Sequence, residues 1–340
     1  MSTRASAVWR TDLVNTWIAP RTPLPAATRD DAFLRDVRAG LCRDGQKSLP
    51  PKYLYDELGS FLFDAITRLP EYGVWRAERR LLTLHAAEIA AACPAGLVVE
   101  LGSGVADKTR ALLEPLLAQR PVTYCPVEIS RTALDGVRRS LSDLPALDTC
   151  GIAREYLPGL EEALKLRSPG TPVLVLFLGS SLGNFDALSS FRFLESIRRQ
   201  LRPGDGLLLG ADLEKPELRL LAAYDDALGV TSAFNLNLLV RMNRELDADF
   251  RLAGFRHRVR FDRARRNVEM HVESLRDQTV TIGAGGFAVS LLAGETIHTE
   301  NSHKYSRDEL DDLTQGSGFT LMRRWCDEAW PFATGLYRVE

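Results

Sequence analysis

The sequence has few of the features that mark several large classes of protein. Its five cysteines lie far apart without a CxxC pair, which excludes a disulfide framework and a zinc site. Lys and Arg (43) nearly balance Asp and Glu (45), whereas a nucleic-acid or membrane-surface binder would be basic. No segment approaches the run of about 20 apolar residues that a membrane helix needs. We therefore expect a cytoplasmic protein with reduced thiols and with neither nucleic acid nor membrane as a partner.

Motifs of metal and covalent catalysis are also missing. The five histidines show no HExxH or similar spacing, so no metal site is expected. Neither a G-x-S-x-G turn nor a Cys-His signature indicates a covalent nucleophile. Seven arginines fall within residues 251–266, but three of them alternate with apolar residues on a predicted strand whose partner carries Glu269 and Glu273. Cross-strand ion pairs explain these arginines without nucleic acid.

Short apolar runs are present in the middle of the chain, and each ends in Gly, Ser or an acid: GLVVELGSG, PVTYCPVEIS, TPVLVLFLGSS and GDGLLLGADL. Helical stretches of about 15–30 residues separate them, which is typical of a parallel sheet. The C-terminal stretch TLMRRWCDEAWPFATGLYRVE predicts two antiparallel strands. We therefore predict an α/β fold with a doubly wound, mostly parallel sheet, formed by residues 81–213 and 303–340.

Two other regions have a different pattern. Residues 30–92 show apolar residues at helical spacing. FRHRVRF (255–261) and VEMHVES (268–274) alternate with a period of two around a polar turn, which predicts a hairpin. We predict a smaller α+β substrate-binding domain from residues 20–80 and 214–302, preceded by a loose leader over residues 1–19.

A glycine turn directly after the first predicted strand indicates a cofactor site. Gly102, Ser103 and Gly104 form a Gly-x-Gly turn in which the backbone can approach a ligand closely. A dinucleotide fingerprint would place a third glycine at position 107, where Asp107 would repel a pyrophosphate. NAD and FAD are therefore disfavoured, and a nucleoside without that anionic bridge is favoured.

S-adenosylmethionine meets this description, and the turn resembles the first motif of Rossmann-like class I methyltransferases. Glu128, at the end of the next strand, is placed to accept hydrogen bonds from both ribose hydroxyls, and Lys108 could face the methionyl carboxylate. A short Gly-x-Gly turn is common, however, so this motif alone leaves other cofactors open.

The strand VLVLFL ends in GSSLGNF, which predicts that Asn184 points toward the reacting methyl group. An amide can accept the N–H bonds of an amine and leave its lone pair aimed at carbon. The alternative is an asparagine that caps the next helix.

Several longer segments resemble the histidine Nα-methyltransferases of ergothioneine biosynthesis. They span roughly residues 31–310 and are KSLPPKYLYDELGSFLFDAITRLPEY, ELGSGVADKTR, FLGSSLGNF, LLLGADLEK, the stretch AYDDALGVTSAFNLNLL through RMNRELDADF, VEM and TENSHKY. The resemblance implies trimethylation of the α-amine of free L-histidine to hercynine. We expect the protein to be a monomer. N-methylation of another aromatic amino acid such as tryptophan, and a catalytically silent cofactor-binding protein, remain alternatives.

The resemblance also implies roles for individual residues. Tyr55 and Asn184 would be the catalytic pair that holds the backbone groups of the amino acid. Tyr72 would line the pocket and Tyr224 would lie near the substrate carboxylate. The residues implied around the imidazole are Met270, Glu300 and Ser302, and those implied around the cofactor are Gly102, Lys108, Glu128 and, against adenine, Glu155 and Tyr156.

Overall fold

The computed structural model describes residues 27–340, with side chains described from residue 32 onward. The predicted leader (1–19) and the first residues of the predicted substrate domain (20–26) lie outside the described residues.

Helices and strands alternate through most of the described chain. The helices are α1 (Ala27–Leu41), α2 (Glu57–Arg68), α3 (Val74–Ala92), α4 (Arg110–Leu117), α5 (Arg131–Ser140), α6 (Tyr156–Leu164), α7 (Ala187–Gln200), α8 (Glu217–Tyr224), α9 (Val230–Leu246) and α10 (Arg307–Gly316). The strands are β1 (Lys47–Ser48), β2 (Leu97–Leu101), β3 (Val122–Val127), β4 (Leu147–Thr149), β5 (Val173–Phe177), β6 (Gly206–Asp212), β7 (Phe255–Asp262), β8 (Asn267–Ser274), β9 (Gln278–Ile282), β10 (Phe287–Leu291), β11 (Thr296–His303), β12 (Thr320–Asp327) and β13 (Phe332–Arg338).

Seven strands form the central sheet, in the order β12-β13-β6-β5-β2-β3-β4. The five strands from β6 to β4 are parallel, and β13 is antiparallel to both of its neighbours. Every residue of β2, β5 and β6 is buried, which explains why these strands read as unbroken apolar runs. The predicted α/β fold and its antiparallel finish are confirmed.

The first helix after the glycine turn begins later than the sequence suggests. The pattern predicts a start near Asp107, but α4 begins at Arg110. Ala106 has a φ of 59°, in the left-handed region, so the chain makes another turn before it can enter a helix. The loop between β2 and α4 is therefore longer than the sequence pattern predicts.

A second sheet has the order β1-β11-β8-β7. The predicted hairpin is present, with Phe255 opposite Ser274 and Asp262 opposite Asn267. Arg256 and Arg258 both form ion pairs of 2.6 Å with Glu273, as the alternation predicted. β9 and β10 form a separate two-stranded sheet.

The division into two domains stays a prediction. The strands of the seven-stranded sheet come from residues 97–212 and 320–338, and those of the other sheets from residues 47–48 and 255–303. The predicted boundary at residue 80 falls inside α3, which packs against α4, β12 and β13. Within residues 27–340, no helix is long and apolar enough to cross a membrane.

Candidate active site

The site lies where the carboxyl ends of the parallel strands meet the second sheet. After β5, a short 3₁₀ turn (Ser181–Asn184) packs directly against β11. Gly183 allows this approach, since a Cβ there would lie 2.9 Å from the backbone oxygen of His303. The turn that carries Asn184 follows a strand of the seven-stranded sheet, and it thus lies beside the strand of the second sheet that carries Glu300 and Ser302.

The glycine turn after β2 has the geometry of a ligand cradle. Gly102 and Gly104 have φ values of 76° and 54°, which L side chains rarely adopt, and Ser103 between them is buried. A Cβ on Gly104 would meet nothing within 4 Å, so its backbone faces open space. A Cβ on Gly102 would lie 3.1 Å from the hydroxyl of Tyr156. This backbone fits a cofactor that must come close to the chain.

Glu128 closes the same turn from the neighbouring strand. Its carboxylate accepts hydrogen bonds from the backbone N–H of Gly104 (3.3 Å) and of Ile129 (2.8 Å). Burial raises the pKa of Glu128, against the effect of these backbone bonds. The carboxylate that the sequence placed at the ribose therefore lies beside the cradle.

Lys108 is held by a carboxylate that sequence reasoning did not single out. Glu78, fully buried on α3, forms an ion pair with Lys108 and accepts a hydrogen bond of 2.9 Å from Gly179 N. Gly210 leaves the space for it, since a Cβ there would lie 1.9 Å from Glu78 Oε1. Glu78 thereby connects the cofactor turn to the end of β5.

The two residues predicted against adenine have different surroundings. Tyr156 is enclosed by Phe177 and Phe193, whereas the side chain of Glu155 is 65% exposed and bonds to Lys52 at 3.2 Å. Ile152 bonds through its backbone oxygen to Glu128 N at 3.0 Å. Ile152, which sequence reasoning missed, is therefore bonded to the residue that closes the cofactor turn, and its apolar side chain offered no signal.

Glu300 lies at the centre of the predicted substrate residues. Its Oε1 is 3.5 Å from the hydroxyl of Tyr55 and 3.4 Å from Nδ2 of Asn184, both long hydrogen bonds. Burial raises the pKa of Glu300 to about 7, although Lys304 and Tyr55 act to lower it. At neutral pH this carboxyl group is therefore poised between its protonated and ionised forms.

Three tyrosines surround this carboxylate. Tyr55 packs edge-on against Phe63 and Phe234, and the rings of Tyr72 and Tyr224 lie 6.0 Å apart in an edge-to-face contact. Burial holds the pKa of Tyr55, Tyr72 and Tyr224 well above the usual range, so all three stay protonated. They can donate hydrogen bonds but cannot act as bases near neutral pH.

Met270 lies opposite Glu300 in the pairing of β8 with β11, just after a bulge at Thr299. Residues directly opposite one another in antiparallel strands place their side chains on one face. The hydroxyl of Thr299 bonds to the backbone oxygen of Met270 at 3.0 Å and to Oδ1 of Asn235 at 2.7 Å, which fixes the bulge. Met270 therefore supplies a buried apolar wall on the side of Glu300.

Ser302 belongs to a buried polar cluster that the sequence did not reveal. Its Oγ lies 2.6 Å from the hydroxyl of Tyr224 and 2.7 Å from Nζ of Lys304. Lys304 in turn forms an ion pair of 2.9 Å with Asp212, which also pairs with Lys215 at 2.7 Å. Asp212, Lys215 and Lys304 have no exposed side-chain surface. Among residues 27–340, no group of His, Cys, Asp and Glu side chains could hold a metal ion.

Comparison with known proteins identifies the family. The model of a family described as histidine-specific, S-adenosylmethionine-dependent methyltransferases matches residues 33–339. The chain is 40% identical, over 90% of its length and 94% of the relative's, to a histidine N-alpha-methyltransferase from Mycobacterium tuberculosis. It is 31% identical, over 83% of its length, to ergothioneine biosynthesis protein 1 from Neurospora crassa, of which it covers 32%. An L-tryptophan methyltransferase from Psilocybe serbica is 26% identical over 84% of this chain and 86% of that protein. The family that the sequence motifs indicated is therefore confirmed, and the chain belongs to the histidine-specific, S-adenosylmethionine-dependent methyltransferases.

Proposed function

We propose that this enzyme methylates the α-amine of free L-histidine three times and so forms hercynine, a step of ergothioneine biosynthesis. The observation that carries the proposal is the position of Glu300. This buried carboxylate contacts Asn184 and Tyr55 while Ser302 follows it on the same strand. The same cluster of residues thus combines groups that can orient an amine with groups that can hold the two nitrogens of an imidazole.

The residues of the cofactor turn fit S-adenosylmethionine. Gly102, Gly104 and Glu128 would hold its nucleoside, and Lys108 would face its carboxylate. When bound, S-adenosylmethionine supplies an electrophilic methyl group on sulfur. In such a transfer the positive charge moves from the sulfur of the cofactor to the nitrogen of the amine. The chain itself therefore contributes little chemistry beyond placing the amine and excluding water.

Asn184 and Tyr55 would place the amine of the substrate. The side-chain oxygen of Asn184 can accept an amine N–H, which leaves the nitrogen lone pair free to attack. Tyr55 remains protonated because burial raises its pKa, so we propose that it orients the amine rather than deprotonating it. The proton that the amine must lose before the second and third transfers goes to solvent, because Glu300 is engaged with the ring of the substrate.

Tryptophan is the second candidate substrate, favoured by the similarity to the Psilocybe serbica enzyme. Its indole would leave the buried Glu300 and Ser302 with a single ring N–H between them, and an unpaired buried polar group is costly. The imidazole of histidine has two ring nitrogens and can bond to both Glu300 and Ser302. We further propose a cytoplasmic monomer without nucleic-acid or membrane partners, which the nearly balanced charge of −2 supports.

The deciding experiment incubates the protein with S-adenosylmethionine and a panel of free amino acids and follows the products by mass spectrometry. We expect histidine to gain three methyl groups and tryptophan to react at least ~10-fold more slowly, the discrimination expected when a buried polar group loses its partner. Asn184→Ala, tested alongside, separates enzymatic from spontaneous methylation. Preferential methylation of tryptophan, or no transfer to any amino acid, would overturn the proposal.

A further inference from the structure

Lys304 is a fully buried lysine two residues after Ser302. Its ammonium group faces three oxygen atoms: Ser302 Oγ at 2.7 Å, the Tyr224 hydroxyl at 2.8 Å and Asp212 Oδ2 at 2.9 Å. An ammonium has three N–H donors and no acceptor. Two of these donors bond to Ser302 and Tyr224, and the charge pairs with Asp212. A buried charge is tolerated only with such partners.

Asp212 is the carboxylate that pairs with this lysine. This carboxylate also pairs with Lys215 and accepts a hydrogen bond of 2.8 Å from Trp330 Nε1. Burial alone would raise the pKa of Asp212, but Lys304 and Lys215 together lower it. Two lysines therefore share one ionised aspartate, and the nearest further carboxylate on β11 is Glu300.

The hydrogen bonds around Ser302 can be counted. Ser302 Oγ and the Tyr224 hydroxyl lie 2.6 Å apart, so one of their two O–H hydrogens joins them. A phenol is the stronger donor of the two, which assigns that hydrogen to Tyr224. Ser302 Oγ then accepts one bond from Tyr224 and one from Lys304, which fills both of its lone pairs. Its own hydrogen remains free.

We propose that Lys304 is a positioning residue for substrate selection, which makes Ser302 a hydrogen-bond donor that cannot accept. The inference rests on the proposed function and adds to it which side chain donates and which accepts a hydrogen bond. Glu300, once ionised, can only accept, so the two side chains together require a ring with one N–H and one unprotonated nitrogen. Neutral imidazole meets this requirement. Indole and imidazolium each lack the acceptor nitrogen.

Lys304→Met tests the proposal, with Lys215→Met as the matched control. Both lysines are fully buried and pair with Asp212, but only Lys304 bonds to Ser302 and Tyr224. We expect Lys304→Met to raise the KM for histidine about 10-fold and to leave kcat within about three-fold, since the amine is held elsewhere. The acid limb of kcat/KM should move to higher pH, because removal of the cation raises the pKa of Glu300. Lys215→Met should change neither.

A double-mutant cycle with Ser302→Ala shows whether Lys304 acts through this serine. We expect Lys304→Met to add less than about two-fold in KM once Ser302 is already alanine. Fully additive effects, an unchanged KM in Lys304→Met, or equal effects of both lysine variants would overturn the proposal. If Lys304→Met does not fold, Lys304→Gln takes its place. Loss of folding in both also overturns a positioning role.

The wild-type reaction in the same assay keeps the two proposals apart. If the wild-type protein methylates histidine while Lys304→Met behaves as wild type, only the role of Lys304 fails. If the wild-type protein does not methylate histidine at all, the proposed function itself fails.

Discussion

Asn184, in the turn that follows β5, donates a hydrogen bond of 3.4 Å to Glu300 of the second sheet. Asn184 follows β5 of the seven-stranded sheet, and Glu300 lies on β11 of the four-stranded sheet. The contact therefore joins the proposed site of methyl transfer to the proposed site of side-chain recognition. A change at either residue should affect both steps, but in different proportions.

Asn184→Ala should lower kcat about 100-fold and leave the affinity for S-adenosylhomocysteine within about two-fold, because the variant loses an orienting group rather than a cofactor contact. Single-turnover kinetics and calorimetry measure the two quantities. Asp186→Ala is a useful control, since this residue caps α7 two positions later and bonds only to the helix. Wild-type turnover in Asn184→Ala would remove the residue from the site.

Glu128→Ala should weaken the binding of S-adenosylhomocysteine at least ~10-fold and reduce the rise in melting temperature that this ligand produces by mass action. The carboxylate holds the turn through Gly104 and Ile129, so both the ribose contact and the cradle are lost. Glu155→Ala is the control. Its carboxylate is mostly exposed and bonds to Lys52, and we expect the affinity to stay within about two-fold. Binding of NAD in place of S-adenosylhomocysteine would contradict the cofactor assignment.

The sheets were predictable because unbroken apolar runs and strict alternation are direct signatures of parallel and of half-buried strands. The buried charged residues could not be predicted from the sequence. Asp212 and Lys215 fall at the end of a strand and Lys304 just after one, where charged residues are ordinarily exposed. The bridge between Leu213, just after β6, and Tyr305, just after β11, brings them together, and spacing along the chain does not encode that contact. Glu78 was hidden for a similar reason, because it stands between Arg76 and Arg79 on α3 and charged residues are ordinarily exposed.

Gly210→Ala should destabilise the protein by about 1–3 kcal/mol, because a Cβ at this position would lie 1.9 Å from Glu78 Oε1 inside a filled core. Denaturant unfolding measures the change. In the background of Glu78→Ala the clashing carboxylate is absent, so the same substitution should cost less by at least ~1 kcal/mol. An equal cost in both backgrounds would show that Glu78 is not what the glycine makes room for.

The stability of the protein should depend on pH through Glu300. Burial raises the pKa of Glu300 to about 7, above the 4.5 of an exposed glutamate, so the folded chain binds this proton more tightly than the unfolded chain. The stabilising contribution is complete below pH 4.5 and is lost as the pH rises toward 7. Glu100, whose pKa burial also raises to about 7, acts in the same direction.

Glu300→Gln removes one of these titrations and leaves the shape of the side chain almost unchanged. We expect its free energy of unfolding to fall less steeply than that of the wild type between pH 5 and 7. Burial lowers the pKa of His271 to about 4, which opposes the trend at low pH, but this histidine is present in both proteins and cancels in the comparison. The free energy of unfolding of both proteins is measured with denaturant at pH 5, 6 and 7. The same change with pH in Glu300→Gln and in the wild type would contradict the prediction.

Selectivity for the ring of the substrate should depend on Glu300 and Met270 together. Glu300→Ala should raise the apparent KM for histidine at least ~10-fold, because a charge-assisted bond contributes about 1–3 kcal/mol. Met270 lies opposite Glu300 and is 1% exposed, so shortening it opens space beside the position of Glu300. The double variant Glu300→Ala with Met270→Val should therefore shift the preference from histidine toward tryptophan.

Competition between the two amino acids in one reaction, followed by mass, measures this preference directly. Val272→Ala is the control, since it shortens the next inward-facing residue of β8, which lies opposite Ile297 rather than Glu300. We expect that variant to lose stability without a change in preference, because its cavity opens away from the polar edge of the pocket. A double variant that keeps the full preference for histidine would show that Glu300 and Met270 do not enclose the ring, and the recognition site would then have to lie on other residues around Tyr72 and Tyr224.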